Sequence, residues 1–147
     1  MKKLMMIVAS AAMFFSCASK QADQAVILFD AVDFQAVVDG KETSLYTLKA
    51  GDLVMQVTDF GGRVVSLWVP DKDGQHEDIV LGYKNIDSYI NNKGERFLGA
   101  VVGPYANRIA DGTYAVGEET YHFPKNNNGQ TLHGGIRGLD MVAWAVE

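Results

Sequence analysis

The feature that most constrains this chain is a succession of short apolar runs, each closed by a turn signal. Residues 44–48 alternate weakly and stop at Ala50-Gly51-Asp52. Residues 53–58 run to Asp59-Phe60-Gly61-Gly62, and residues 64–69 end at Pro70, which has no N–H to give to a ladder. Asp71-Lys72-Asp73-Gly74 then supplies a tight turn, because Asp bonds its own backbone and Gly accepts positive φ. Further apolar runs follow at 79–83, 97–102 and 141–146, the second breaking at Gly103-Pro104 as a buried strand would. Residues 113–116 and 120–123 flank Gly117-Glu118-Glu119 as a hairpin. Only residues 86–92 read as a helical turn. Short strands at close spacing predict an all-β protein, an antiparallel sandwich or barrel.

The first stretch stands outside that pattern. Met1-Lys2-Lys3 precedes an apolar run over residues 4–15, broken only by Ser10, and then come Ser16 and Cys17. A basic start, a short apolar core and a small residue make a secretory signal. The run is shorter than the roughly 20 residues a bilayer-spanning helix needs. Residues 1–16 are therefore predicted as the signal peptide. Cys17, the only cysteine, follows at once and resembles the lipid-attachment cysteine of bacterial lipoproteins. Residues 17–40 read as that cysteine, a tether and the first strand. The expected location is outside the cytoplasm, in the periplasm or as an outer-membrane lipoprotein of a bacterium. A lone cysteine also excludes an internal disulfide and a Cys-based zinc site.

Charge and motifs exclude several chemistries. The net charge is -5 and no run of Lys or Arg is present, which excludes nucleic acid as a partner. There is no phosphate-binding loop, no strand followed by G-x-G-x-x-G and no G-x-S-x-G elbow. His76-Glu77 lacks the second histidine of a zincin, and His76 reads as a solvated loop residue. His122, between Tyr121 and Phe123, points to solvent by alternation. Asp71 and Asp73 are the one place where a calcium ion stays open, since hard cations take clustered carboxylates. A plain turn explains them better.

Two stretches ask for more than folding. Gly103-Pro104-Tyr105-Ala106-Asn107-Arg108-Ile109-Ala110-Asp111-Gly112 gathers a phenol, an amide and a guanidinium in one loop. Arg and Asn give directed hydrogen bonds to hydroxyls and ring oxygens. An ion pair from Arg108 to Asp111 that ties down a turn explains the segment equally well. Leu132-His133-Gly134-Gly135 sets an imidazole among glycines, where backbone and ligand approach closely.

Together these stretches, in this order, resemble the aldose 1-epimerase family, which includes the galactose mutarotases. Asp59-Phe60-Gly61-Gly62-Arg63-Val64-Val65-Ser66-Leu67 and Asp78-Ile79-Val80-Leu81-Gly82-Tyr83 are similar to its opening strands. The resemblance implies a β-sandwich of the galactose-mutarotase type, with residues 41–147 as its N-terminal portion, truncated at the C-terminus. It implies an isomerase that interconverts the α and β anomers of free hexoses, galactose or glucose, by acid–base ring opening. No cofactor is required, and the partner is a small aldose bound by a monomer. The family's substrate-binding Asn-Arg pair falls on Asn107 and Arg108, and its first active-site histidine on His133. Pro104 stands where the family often has a basic residue and receives no role. The general acid, a histidine, and the base, a glutamate, are expected beyond Glu147, so no catalytic residue is assigned within the chain. Two further readings stay open: a non-catalytic exported carbohydrate-binding module, and a structural β domain.

Overall fold

The computed structural model describes residues 25–91 and 94–147. The expected signal peptide and Cys17 lie outside the described residues. A 3-10 turn at Ala31–Phe34 leads into a two-stranded pair, β1 (Val37–Val38) and β2 (Lys41–Glu42). Next, β3 (Leu45–Ala50), β4 (Leu53–Thr58), β5 (Arg63–Pro70) and β6 (His76–Asp78) form a four-stranded antiparallel meander in chain order. A short helix, α1 (Ile86–Ile90), follows. Then β7 (Arg108–Ile109) pairs with β10 (Thr131–Leu132), and β8 (Thr113–Val116) pairs with β9 (Glu119–His122).

Local chemistry explains the joints. Ala50 and Leu53 close the β3–β4 ladder, leaving Gly51 to take φ +58° in the turn. Between β5 and β6, Asp71 Oδ1 accepts from the backbone N–H of Asp73 at 2.8 Å and of Gln75 at 2.9 Å. Those backbone bonds, Gln75 first, hold its carboxyl below the usual range. Asp73 faces Lys72 Nζ at 2.5 Å. The turn itself therefore uses both carboxylates, which corrects the calcium expectation at Asp71 and Asp73. Among the described residues no group of three or more His, Cys, Asp or Glu is placed to hold a metal ion.

The core lies on one face of the meander, beneath the 3-10 turn and α1. A β-bulge sets that face: Gln56 pairs with Ser66 and Val57 with Val64, so Val65 is the extra residue on β5. With it inserted, Arg63, Val65, Ser66 and Trp68 are all buried. Phe34, Phe60, Val65, Ile86 and Tyr89 form the central cluster. Asn85 caps α1 by accepting from Ser88 N–H at 3.0 Å, and Ile86 and Tyr89, three apart, share its buried face. Across the sheet, Tyr46, Leu48, Val57, Val101 and Trp144 line an open apolar hollow of about 360 Å³.

Several expectations need correction. The tether over residues 17–40 is part of the fold from Phe29 onward. Phe34 is fully buried, and Gln56 clasps the backbone of Phe29 through Nε2 at 3.0 Å and Oε1 at 2.9 Å. The fourth, edge strand of the meander is not the apolar run 79–83 but the polar His76–Asp78. His76 thus sits on an edge strand, half-buried, with Nε2 donating to the Asp52 carbonyl at 2.8 Å. Residues 97–102 and 141–146 are not strands. The first passes through Gly99 at φ +64°, where a Cβ would overlap the Val64 carbonyl oxygen. The second makes one bridge, Ala143 to Phe60, beyond a 3-10 turn at Leu139–Met141. The β8–β9 hairpin stands as expected, with Val116 opposite Glu119 and His122 exposed.

Candidate functional site

The ladder of β7 and β10 brings the two singled-out stretches together. Arg108 pairs with Leu132 and Ile109 with Thr131, so Arg108 lies one register position from His133. The loops beyond are locked by unusual backbone: Asn107 at φ +57° and His133 at φ +48° both adopt the left-handed conformation. Non-glycine residues there cost roughly 1–3 kcal/mol and cluster at functional sites. The two residues satisfy each other. His133 N–H donates to the Asn107 carbonyl at 3.1 Å, and Asn107 N–H donates to His133 Nδ1 at 3.0 Å.

That second bond has a chemical consequence. A ring nitrogen that accepts cannot carry the proton, so the neutral imidazole holds its hydrogen on Nε2. The ring is further fixed by Phe97, edge-on at 4.8 Å between centroids. His133, with its proton on Nε2, is among the residues lining an open pocket of about 460 Å³, together with Glu95, Arg96, Phe97, Arg108 and Asn127.

Arg108 is exposed and gives Nε–H to Asn127 Oδ1 at 3.1 Å. The alternative pairing with Asp111 does not form; Asp111 instead faces Lys125 at 4.0 Å. Asn107 supplies backbone to the site but is not among the residues lining the pocket. His76 on β6 and His122 on β9 do not line it either.

Other residues in the wall were not legible as site residues. Asn126 Oδ1 accepts from Leu132 N–H at 2.7 Å, and its Nδ2 donates to the carbonyls of Leu132 and Gly135 at 3.0 Å each. It staples both sides of His133. Arg96 reaches Gly135 O at 3.2 Å, lies 4.9 Å over the Phe97 ring, and forks onto Asp140 at 2.7 and 2.9 Å. Asp140 is buried and shared with Arg63, whose NH2 lies 3.7 Å from Oδ2. Arg63 is itself fully buried, donating to the carbonyls of Arg96, Leu98 and Asp140 at 2.9–3.0 Å. Burial pushes its guanidinium below its ordinary pKa, with Asp140 opposing the shift. The pocket wall thus rests on an Arg–Asp–Arg cluster rooted in the core.

Comparison with known proteins places this geometry. The sequence model of aldose 1-epimerases matches residues 44–147, which covers both loops and the meander. The chain belongs to the aldose 1-epimerase family. It is 40% identical over 106 residues to a probable aldose 1-epimerase of Arthroderma benhamiae, covering 69% of this chain and 24% of that protein. It is 35% identical over 108 residues to galactose mutarotase of Mus musculus, covering 74% and 31%. A crystal structure of an aldose epimerase homologue from C. elegans superposes with a TM-score of 0.65 at 32% identity, over 71% of this chain and 32% of that one. The chain spans about a quarter to a third of the length of these relatives. Its antiparallel sheets belong to the β-sandwich class of the galactose-mutarotase type, as the family resemblance implies.

Proposed function

We propose that this chain carries the sugar-anchoring corner of an aldose 1-epimerase, an isomerase that equilibrates the α and β anomers of free hexoses such as galactose and glucose. The observation that carries the reading is the Asn107 N–H to His133 Nδ1 bond. It leaves His133 Nε2–H as a donor on the same pocket as the free end of Arg108. A pyranose presents acceptors in that pattern, with its ring oxygen beside hydroxyls. In this reading Arg108 and His133 donate to the ring oxygen and a neighbouring hydroxyl, and the exposed side chain of Asn107, next to Arg108 in the chain, reaches the sugar from outside the pocket lining. Ring opening needs one group to protonate the ring oxygen and another to take the C1 hydroxyl proton, with no nucleotide or redox cofactor. In this reading the described residues that line the pocket supply orientation. Family membership and the similarity to proteins named galactose mutarotase support the substrate class.

Titration with galactose, followed by NMR, tests the anchoring. Galactose shifts the His133 ring signals, and Arg108→Ala abolishes binding. Undiminished binding by Arg108→Ala would refute the anchor.

Export and lipid anchoring at Cys17 are proposed on the basic start, the apolar run and the cysteine that follows them. Fractionation of cells expressing Cys17→Ala should find the protein released from membranes. Retention of the variant in the membrane fraction would remove the anchor.

A further inference from the structure

The asparagine-rich loop that follows β9 does more than connect. Asn127 and Gln130 exchange backbone hydrogen bonds, 3.1 Å from Asn127 N–H to Gln130 O and 2.8 Å in return. Between them Asn128 at φ +45° and Gly129 at φ +80° complete a tight turn, the positive-φ pair that an Asn-Gly sequence favours. Gln130 is pinned in turn, its Oε1 accepting from Asp111 N–H at 2.9 Å. The backbone of Asn127 is therefore set before any ligand arrives. Its amide oxygen meets Arg108 Nε at 3.1 Å and is the one partner of that guanidinium among the described residues.

We infer that Asn127 is the positioning residue of Arg108, holding the guanidinium by Nε so that its two terminal amino groups face the pocket. The inference rests on the sugar-anchoring reading above and names the ligand feature recognised, a pair of neighbouring oxygens on a pyranose or polyol. A guanidinium has five N–H donors in a rigid plane. With Nε–H engaged, the four terminal N–H groups remain for the ligand, and the plane can no longer swivel about its last bonds. The acceptor is a neutral amide, so the cation keeps its full charge for a neutral sugar. A carboxylate in the same place would also hold Nε but would compensate that charge. Such an arrangement lowers the ordering cost of binding, which an exposed arginine otherwise meets when the ligand docks.

The test uses the chain itself with galactose as the probe. Arg108 Nε–H is observed by 15N NMR and assigned with Arg108→Lys. In the parent its exchange with water is slowed, and Asn127→Ala speeds it about tenfold while weakening galactose about five- to tenfold, the worth of one hydrogen bond. Asn127→Asp, which keeps the acceptor oxygen, restores slow exchange, and its galactose affinity falls between those of the parent and Asn127→Ala. A merely structural asparagine would not show that rescue. Unchanged Nε–H exchange in Asn127→Ala, or an Asn127→Asp that behaves like the alanine variant, overturns the inference and leaves the sugar reading intact. Galactose binding that survives Arg108→Ala sinks the sugar reading, and the ligand role of Asn127 with it, whatever the exchange data show.

Discussion

Asp140→Ala should lose about 3–5 kcal/mol of stability, the usual result of stripping one member from a buried ion cluster, and much of the 5–15 kcal/mol a domain typically has. Asp140 is buried and is the carboxylate on which Arg96 forks and near which Arg63 NH2 lies. Without it, two guanidinium groups share one small region with no anion between them. Arg63 cannot escape to water, because it is fully buried, and its Nε already lacks a partner among the described residues. The carbonyls of Arg96, Leu98 and Asp140, with the ring faces of Phe60 and Tyr89 at 5.7 and 4.9 Å, soften the charge without neutralising it.

Urea unfolding monitored by tryptophan fluorescence measures the effect. Adding Arg96→Met to Asp140→Ala should recover about 1–3 kcal/mol, the range of coupling between residues in contact, because one of the two uncompensated cations is then gone. A single Asp140→Ala variant within about 1 kcal/mol of the parent, the scale of an ordinary substitution, would mean the cluster is solvated in a way these contacts do not describe.

The same cluster shows what sequence pattern can and cannot reveal. Arg63 sits in a segment that reads as an opening strand, and nothing local marks it as buried; its partners lie 33 to 77 residues away. Strands flanked by turn chemistry were readable. Residues 53–58 coincide with β4, and the turns at Gly51 and Gly74 fall where glycine was expected. Apolar runs without a paired neighbour carry no such signal. Residues 97–102 donate Val101 N–H to Gly61 O at 2.9 Å and accept Val64 N–H on Gly99 O at 3.1 Å. That is cross-bracing of the start of β5, not a ladder, and hydrophobicity alone does not distinguish the two. In the opposite sense, His76–Asp78 is polar and still pairs with Trp68–Pro70, because an edge strand exposed on one side tolerates charge.

The candidate site divides in the same way. Arg108 and His133 were legible through the family resemblance of the two loops that carry them, and the β7–β10 register brings them to one pocket. Asn126, Asn127, Arg96 and Phe97 were not, because their contribution is to hold other groups. Asn126 reaches six and nine residues along the chain, and Arg96 reaches 39 and 44. A polar loop and an apolar run conceal such roles until the chain is folded.

Gly134→Ala should cost about 2–4 kcal/mol and dislodge the His133 ring, since it adds a steric overlap to a backbone penalty. Gly134 holds φ +85°, where an added Cβ would overlap the Gly103 carbonyl oxygen and approach Gly103 C and Gly138 Cα to 2.8 Å each. None of these atoms is the tip of a flexible side chain. Gly103 O is also fixed from outside, accepting from Leu139 N–H at 3.0 Å, so relief has to come from the His133 loop. Moving that loop stretches the pair of bonds between His133 and Asn107, and with them the preference for Nε2–H.

Gly117→Ala is the matched control. It too has positive φ, +63°, but its Cβ would meet nothing within 4 Å. That variant isolates the conformational penalty, about 1 kcal/mol for a left-handed alanine, and the difference between the two measures the overlap. Thermal unfolding gives the energies, and 15N shifts of the His133 ring report the tautomer. Equal losses in Gly134→Ala and Gly117→Ala, with the His133 ring unmoved, would show that the loop yields easily. The imidazole would then owe its placement to Asn126 and Phe97 rather than to the glycine behind it.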